Sequence, residues 1–137
     1  MIADPPATQL ALDCIDAWYA SRGWTPFDFQ RETWAAYLSG ASGLLHAPTG
    51  MGKTYAVWLG PVAEWIAAHP KTEGWSAMAP PPLTVLWLAP LRALAADTKL
   101  SLRESIEGLG LPWTVELRTG DTGATVKKRQ KVSLPTA

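Results

Sequence analysis

Apolar residues recur along the chain with two periods, and the change between them marks out its elements. Between Thr8 and Arg22, Leu10, Cys14 and Trp18 follow one another at intervals of four, which predicts a helix closed by Gly23. Gly23 to Phe29 is turn-rich and aromatic, and a second helix is expected from about Gln30 to Leu38, before Ser39-Gly40. Leu44-Leu45-His46 reads as a short buried strand, with His46 a core or supporting residue. Lys53 to Ala68 reads as a third helix that Pro61 should kink or break. His69 to Pro82, rich in Pro, Gly and Ala, predicts a surface loop. Thr84 to Ala89 is continuously apolar, as a strand buried on both faces must be. Leu91 to Glu107 places Leu91, Leu94, Thr98, Leu102 and Ile106 along one side of a helix, and Trp113 to Leu117 reads as a third strand. The basic tail from Val126 to Lys131 can start a further helix.

The order strand, helix, strand, helix, strand predicts an α/β fold, a parallel sheet with right-handed crossovers and flanking helices. In such sheets ligands lie beyond the carboxyl ends of the strands. Three segments fall at those ends: Ala47 to Thr54, Pro90-Leu91-Arg92 and Gly120-Asp121-Thr122. Trp34, Trp58, Trp65 and Trp87 lie inside periodic segments and read as core residues.

Composition narrows the function classes. The chain has 137 residues, room for one domain at most, and its 47% hydrophobic and 18% charged residues suit a packed core. Lys+Arg and Asp+Glu balance at 12 each, so any nucleic-acid role must rest on local clusters. Cys14 is alone, which excludes a disulfide framework. Met1-Ile-Ala-Asp-Pro-Pro lacks the basic start and apolar run of a signal peptide, and Leu83 to Leu91 is about half the length of a membrane helix. A soluble, cytoplasmic protein without membrane attachment is expected.

The chemistry concentrates in Ala47-Pro48-Thr49-Gly50-Met51-Gly52-Lys53-Thr54. Gly50 and Gly52 permit the backbone conformations that aim successive N–H groups at a phosphate. Lys53 carries an ammonium for the β- and γ-phosphates, the Thr54 hydroxyl suits Mg²⁺, and the following helix offers its positive end. The generic phosphate-loop pattern has Gly at the first position, where this chain has Ala47. The competing reading is a glycine-bearing turn with a chance Gly-Lys-Thr.

Four segments, in order, resemble superfamily 2 helicases. The A-x-T-G-x-G-K-T loop, Ala47 included, is similar to that superfamily's motif I. Pro26-Phe27-Asp28-Phe29-Gln30, about twenty residues upstream, resembles the Q motif. The resemblance implies that the Gln30 amide reads adenine, with Phe27 beside it and Trp24 either stacking on the base or packing under the loop. Ala89-Pro90-Leu91-Arg92-Ala93-Leu94 is similar to motif Ia, which grips a nucleic-acid backbone, and Arg118-Thr119-Gly120-Asp121-Thr122 resembles the R-x-G-D-T segment of the Lhr-type DExH branch. The wording around Gly23 to Gln30 and Ala89 to Leu94 looks most like the ligase-associated DNA-repair helicases of that branch. The implied fold is a RecA-like lobe, about 1–40 contributing helices and the Q motif and 43–137 the phosphate-loop core. The implied cofactors are ATP and Mg²⁺, with Lys53 and Thr54 in the catalytic apparatus. The implied partners are single-stranded or partly duplex DNA at the nucleoid, with a DNA ligase and a nuclease of the same pathway.

Each assignment has a plainer counterpart. Gln30 can be a polar residue of a first helical turn, Arg92 a surface arginine and Gly120-Asp121-Thr122 an ordinary turn, and Lys127-Lys128-Arg129-Gln130-Lys131 reads either as a DNA-binding strip or as a solvated face. Hydrolysis in this class needs an acidic pair on a buried strand, the D-E-x-H of the family, and neither Asp121 nor Glu116 reads as that pair. The expectation is a first lobe cut before that motif, able to bind ATP without turning it over and leaving apolar neighbours uncovered. A phosphate-loop kinase and a non-catalytic nucleotide- or DNA-binding module are the other readings.

Overall fold

The structure is a computed structural model that describes residues 4–137; Met1, Ile2 and Ala3, which begin the stretch read for a leader, lie outside the described residues. Among the described residues the helices are α1 (Pro5–Ser21), α2 (Asp28–Leu38), α3 (Lys53–Ala68), α4 (Arg92–Leu109) and α5 (Ala124–Val132), with a 3₁₀ helix at Thr72–Ala77. The chain divides into two compact units, one ending at Thr72 and the other running from Glu73 to Ala137. No helix among the described residues is long and apolar enough to cross a membrane.

In the first unit α3 packs against both α1 and α2. Helix α1 starts earlier than the apolar spacing predicts because Pro5 and Pro6 occupy its first positions, where a missing N–H leaves no bond unmade. Helix α2 opens on Asp28, whose charge suits the positive helix end. The Phe27 N–H donates to Gln30 Oε1 at 2.9 Å, which is half of a capping box; a phenyl ring has no acceptor to return the other half. Helix α3 is the core helix, with Ala56, Trp58, Leu59, Val62, Ala63 and Ile66 fully buried. It runs through Pro61 as one element rather than breaking there. The carbonyl that Pro61 leaves without an intrahelical donor is that of Val57, a residue exposed to water.

Gly60 lets α2 approach α3 closely: a Cβ at that position would lie 2.8 Å from Tyr37 Cγ. The Tyr37 hydroxyl donates to Glu64 Oε2 at 2.9 Å. Burial, and then the neighbouring Glu64, push its pKa up to about 12. Trp18, Tyr19, Trp24, Trp34 and Tyr55 form an aromatic cluster with mostly edge-to-face contacts. The Trp34 indole N–H donates to the Tyr55 carbonyl at 3.0 Å. Trp34, Trp58 and Trp65 are buried as expected, whereas Trp87 is half-buried.

In the second unit the buried apolar residues are Trp75, Leu102, Ile106, Leu111 and Trp113. Trp75 sits in the 3₁₀ helix, so the segment read as a surface loop supplies a core residue. Of the predicted α4 stripe only the carboxyl half is buried; Leu91 and Leu94 are 60% and 51% exposed.

The α/β expectation, a RecA-like parallel sheet flanked by helices, is overturned: the described residues contain helices and no strand. A strand needs neighbours that take up its N–H and C=O groups. The Thr84 and Val85 N–H groups both go to the Thr136 carbonyl, and Thr114 and Glu116 each exchange one bond with Ala137. No second extended segment continues either pairing into a ladder. Leu44 is 95% exposed and His46 is exposed too, so the first expected strand is neither paired nor a source of core residues.

Candidate functional site

In the first unit the loop from Ala47 to Gly52 enters α3 directly. Gly50 and Gly52 have φ of 82° and 79°, the left-handed region in which a side chain is strained. The two glycines differ in surroundings. A Cβ at Gly50 would meet nothing within 4 Å, so the loop is open there, whereas a Cβ at Gly52 would lie 2.6 Å from Gln30 Nε2. Lys53 is the first residue of the 16-residue α3 and is exposed, and Thr54 follows half-buried. Pro48 and Thr49 are exposed, and Ala47 and Met51 half-buried.

Gln30 is the polar residue that the fold holds most firmly at this loop. It is 2% exposed, its Oε1 accepts from Phe27 N–H, and its Nε2 donates to the Gly52 carbonyl at 3.0 Å. The segment resembling the Q motif is therefore bonded to the phosphate loop. A carboxamide has two donors and two lone pairs, so each bond leaves one of each. Burial pushes the pKa of the neighbouring Tyr19 phenol up, an effect that the nearby Gln30 amide partly offsets.

The aromatic residues separate. Trp24 makes edge and tilted contacts with Trp18, Tyr19 and Tyr55, and the Arg22 guanidinium lies 4.8 Å above its ring. It belongs to the packing cluster, with one face already covered. Phe27 is 47% exposed and stacks on Phe29 with ring centroids 5.8 Å apart.

The loop fits a nucleotide's phosphates by its own geometry: an open glycine, a lysine at a helix start and a hydroxyl one residue on. No group of three or more His, Cys, Asp or Glu able to hold a metal occurs among the described residues.

In the second unit the fold brings together two of the other predicted segments. Arg92 opens α4, and its Nη1 donates to Asp121 Oδ2. Pro90 and Gly120 are exposed, and the Thr122 hydroxyl accepts from the Thr119 N–H at 2.8 Å, closing the turn. A hollow of about 540 Å³ has both Arg92 and Gly120 in its lining. A further participant comes from the basic run of the last helix: Lys127 donates to the Gly120 carbonyl at 3.1 Å. In sequence it was one of several basic residues on a helix, and no spacing rule ties it to a turn seven residues before it. Its neighbours differ, since Arg129 pairs with Glu116 at 2.9 Å and Gln130 Nε2 donates to the same carboxylate.

Residues 27–135 match the family model described as DEAD/DEAH box helicase. The chain is also similar to a protein of Mycolicibacterium smegmatis named Lhr helicase/probable uracil glycosylase, 34% identical over 130 residues, a match that covers 88% of this chain. The chain spans 8% of the length of that relative. No solved structure matches the chain.

Proposed function

The chain belongs to the DEAD/DEAH box helicase family, and on that premise we propose that it is an ATP-binding part of a DNA helicase or translocase of the Lhr-type DExH branch, working at the nucleoid in DNA repair. The observation that carries this reading is the part-buried bond from Gln30 to Gly52. A phosphate loop serving a small-molecule kinase needs no glutamine from a preceding helix, whereas an adenine reader coupled to the loop does.

In this reading the loop N–H groups and the Lys53 ammonium bind the β- and γ-phosphates, and the Thr54 hydroxyl orients Mg²⁺. Gln30, bonded to Gly52 and Phe27, is the residue assigned to adenine, which presents an acceptor and a donor side by side to a carboxamide. Phe27 is the better placed ring for the base, since Trp24 is engaged in packing. Mg²⁺-ATP supplies the phosphoanhydride bond whose cleavage drives stepping in the intact protein. Arg92 and the turn at Gly120-Asp121-Thr122 contact the backbone of single-stranded or partly duplex DNA. A DNA ligase and a nuclease of the same pathway are the proposed partners of the whole protein.

Calorimetric titration of the chain with Mg²⁺-ATP tests the core of this reading. Lys53→Ala should abolish binding, and GTP should bind more weakly than ATP to the unmutated chain. Unchanged binding by the Lys53 variant, or equal binding of the two nucleotides, would sink it.

A further inference from the structure

Three stretches of sequence meet at one turn in the second unit. Arg92 reaches it from the start of α4, Lys127 from the first turn of α5, and the turn itself is Thr119 to Thr122. The Arg92 guanidinium lies along the turn's backbone: a Cβ at Gly120 would be 3.0 Å from its Nη2. The Lys127 ammonium is anchored on the Gly120 carbonyl at 3.1 Å, so two cations flank the residue before Asp121. The turn holds its own shape, since Thr119 N–H donates to Thr122 Oγ1 at 2.8 Å and Asp121 N–H to Thr119 Oγ1 at 3.2 Å.

The Asp121 carboxylate cannot itself attract a phosphate, because like charges repel. The side chain instead occupies Arg92, so the contact assigned above to the turn is one of its backbone and not of this carboxylate. That pair stands in water, with the two side chains 68% and 71% exposed. A solvated pair is weakly held, and a guanidinium binds phosphate with the same paired geometry it offers a carboxylate. A phosphate arriving at the turn therefore competes directly for Arg92.

We propose that Arg92 and Lys127 form a two-cation site for the phosphates of a nucleic-acid backbone, and that Asp121 is its built-in counter-ion, displaced from Arg92 when the strand binds. The site rests on the nucleic-acid reading given above and assigns Asp121 and Lys127 roles within it: Asp121 opposes binding, and Lys127 makes a second phosphate contact. Because Asp121 holds Arg92 in place between encounters, release of a strand re-forms an existing ion pair and leaves no bare charge.

The test is fluorescence anisotropy of a labelled oligo-dT strand with the full 137-residue chain over a salt series. Arg92→Ala and Lys127→Ala should each weaken binding and each lower the slope of log affinity against log salt by about 0.7, the value for one single-strand phosphate contact. Asp121→Asn, which keeps the side chain's shape, should tighten binding up to about five-fold at low salt, the factor equivalent to the ~1 kcal/mol upper value of an exposed pair. In an Arg92→Ala background that gain should vanish. If Arg92→Ala and Lys127→Ala leave affinity and slope untouched, the nucleic-acid reading of this surface fails and the counter-ion role with it. If those two weaken binding but Asp121→Asn brings no gain, or its gain survives without Arg92, the counter-ion role alone is overturned. Inorganic phosphate at matched ionic strength should compete poorly; competition equal to that of the strand, phosphate for phosphate, would make this a free-phosphate site and overturn the assignment to a backbone.

Discussion

Among the described residues, the unit ending at Thr72 leaves four large apolar residues exposed, Trp24, Phe27, Leu44 and Val57, whereas the unit from Glu73 to Ala137 leaves ten. Trp34, Trp58 and Ile66 are fully buried, whereas Leu86 and Leu88 are 75% and 83% exposed. The contrast follows from what each backbone needs. A helix satisfies its own N–H and C=O groups and requires only a neighbour for its apolar face. Helix α3 finds two such neighbours in α1 and α2. An extended segment needs partners at its edges for hydrogen bonds and others above and below for its side chains. Between Val85 and Ala89 half-buried and exposed residues alternate, so one face is covered and the other is not. The polar chemistry divides in the same way. Gln30 supports the phosphate loop from a buried position, while Arg92 and Asp121 pair in open water. The first arrangement holds a loop from within a packed core, and the second is an ion pair exposed to water on both sides.

The largest effect that would break this comparison is at Trp34. Trp34→Ala removes a fully buried ring and its bond to the Tyr55 carbonyl, and should cost about 3–5 kcal/mol in a denaturant titration of the chain. A loss below about 1 kcal/mol would mean that the first unit lacks the packed core described. A smaller effect is expected at Gly60. Gly60→Ala puts a methyl 2.8 Å from Tyr37 Cγ, at the root of a side chain that cannot swing away without moving α2. Crowding costs about 1–3 kcal/mol and helix propensity returns about 1, so a net loss of about 1 kcal/mol is expected in the thermal midpoint. A gain in stability would show that α2 and α3 stand further apart. The smallest effect is expected at Leu88, where Leu88→Ser should change stability by no more than about 0.5 kcal/mol. A loss comparable to that at Trp34 would mean that this leucine is covered in solution, and the contrast between the units would collapse.

Much of the helical part was legible because its signals are local. The limits of α3 are legible in the sequence, since Gly52 precedes it and an apolar pattern runs to Ala68. The start of α1 was missed because prolines are tolerated at a first helical turn, and apolar spacing does not register that. Thr84–Ala89 and Trp113–Leu117 misled for one shared reason: an apolar run states that a segment prefers burial, not that a ladder of partners exists. His46 was drawn into the same error by the two leucines before it.

The chain's sequence by itself determined the left-handed turn at Gly50 and Gly52 and the helix that starts at Lys53, because φ preference and the start of a helix depend on residues a few positions apart. It also carried the family, since the match over residues 27–135 is one of residue order. Only the tertiary structure decided that the Gln30 amide meets Gly52, that Trp24 packs instead of standing free, and that Asp121 and Lys127 converge on the turn beside Arg92. Those are contacts between residues far apart in the chain or at a spacing without a rule. Whether two groups meet depends on how helices and turns bring them within about 3 Å, the range in which hydrogen bonds and ion pairs act.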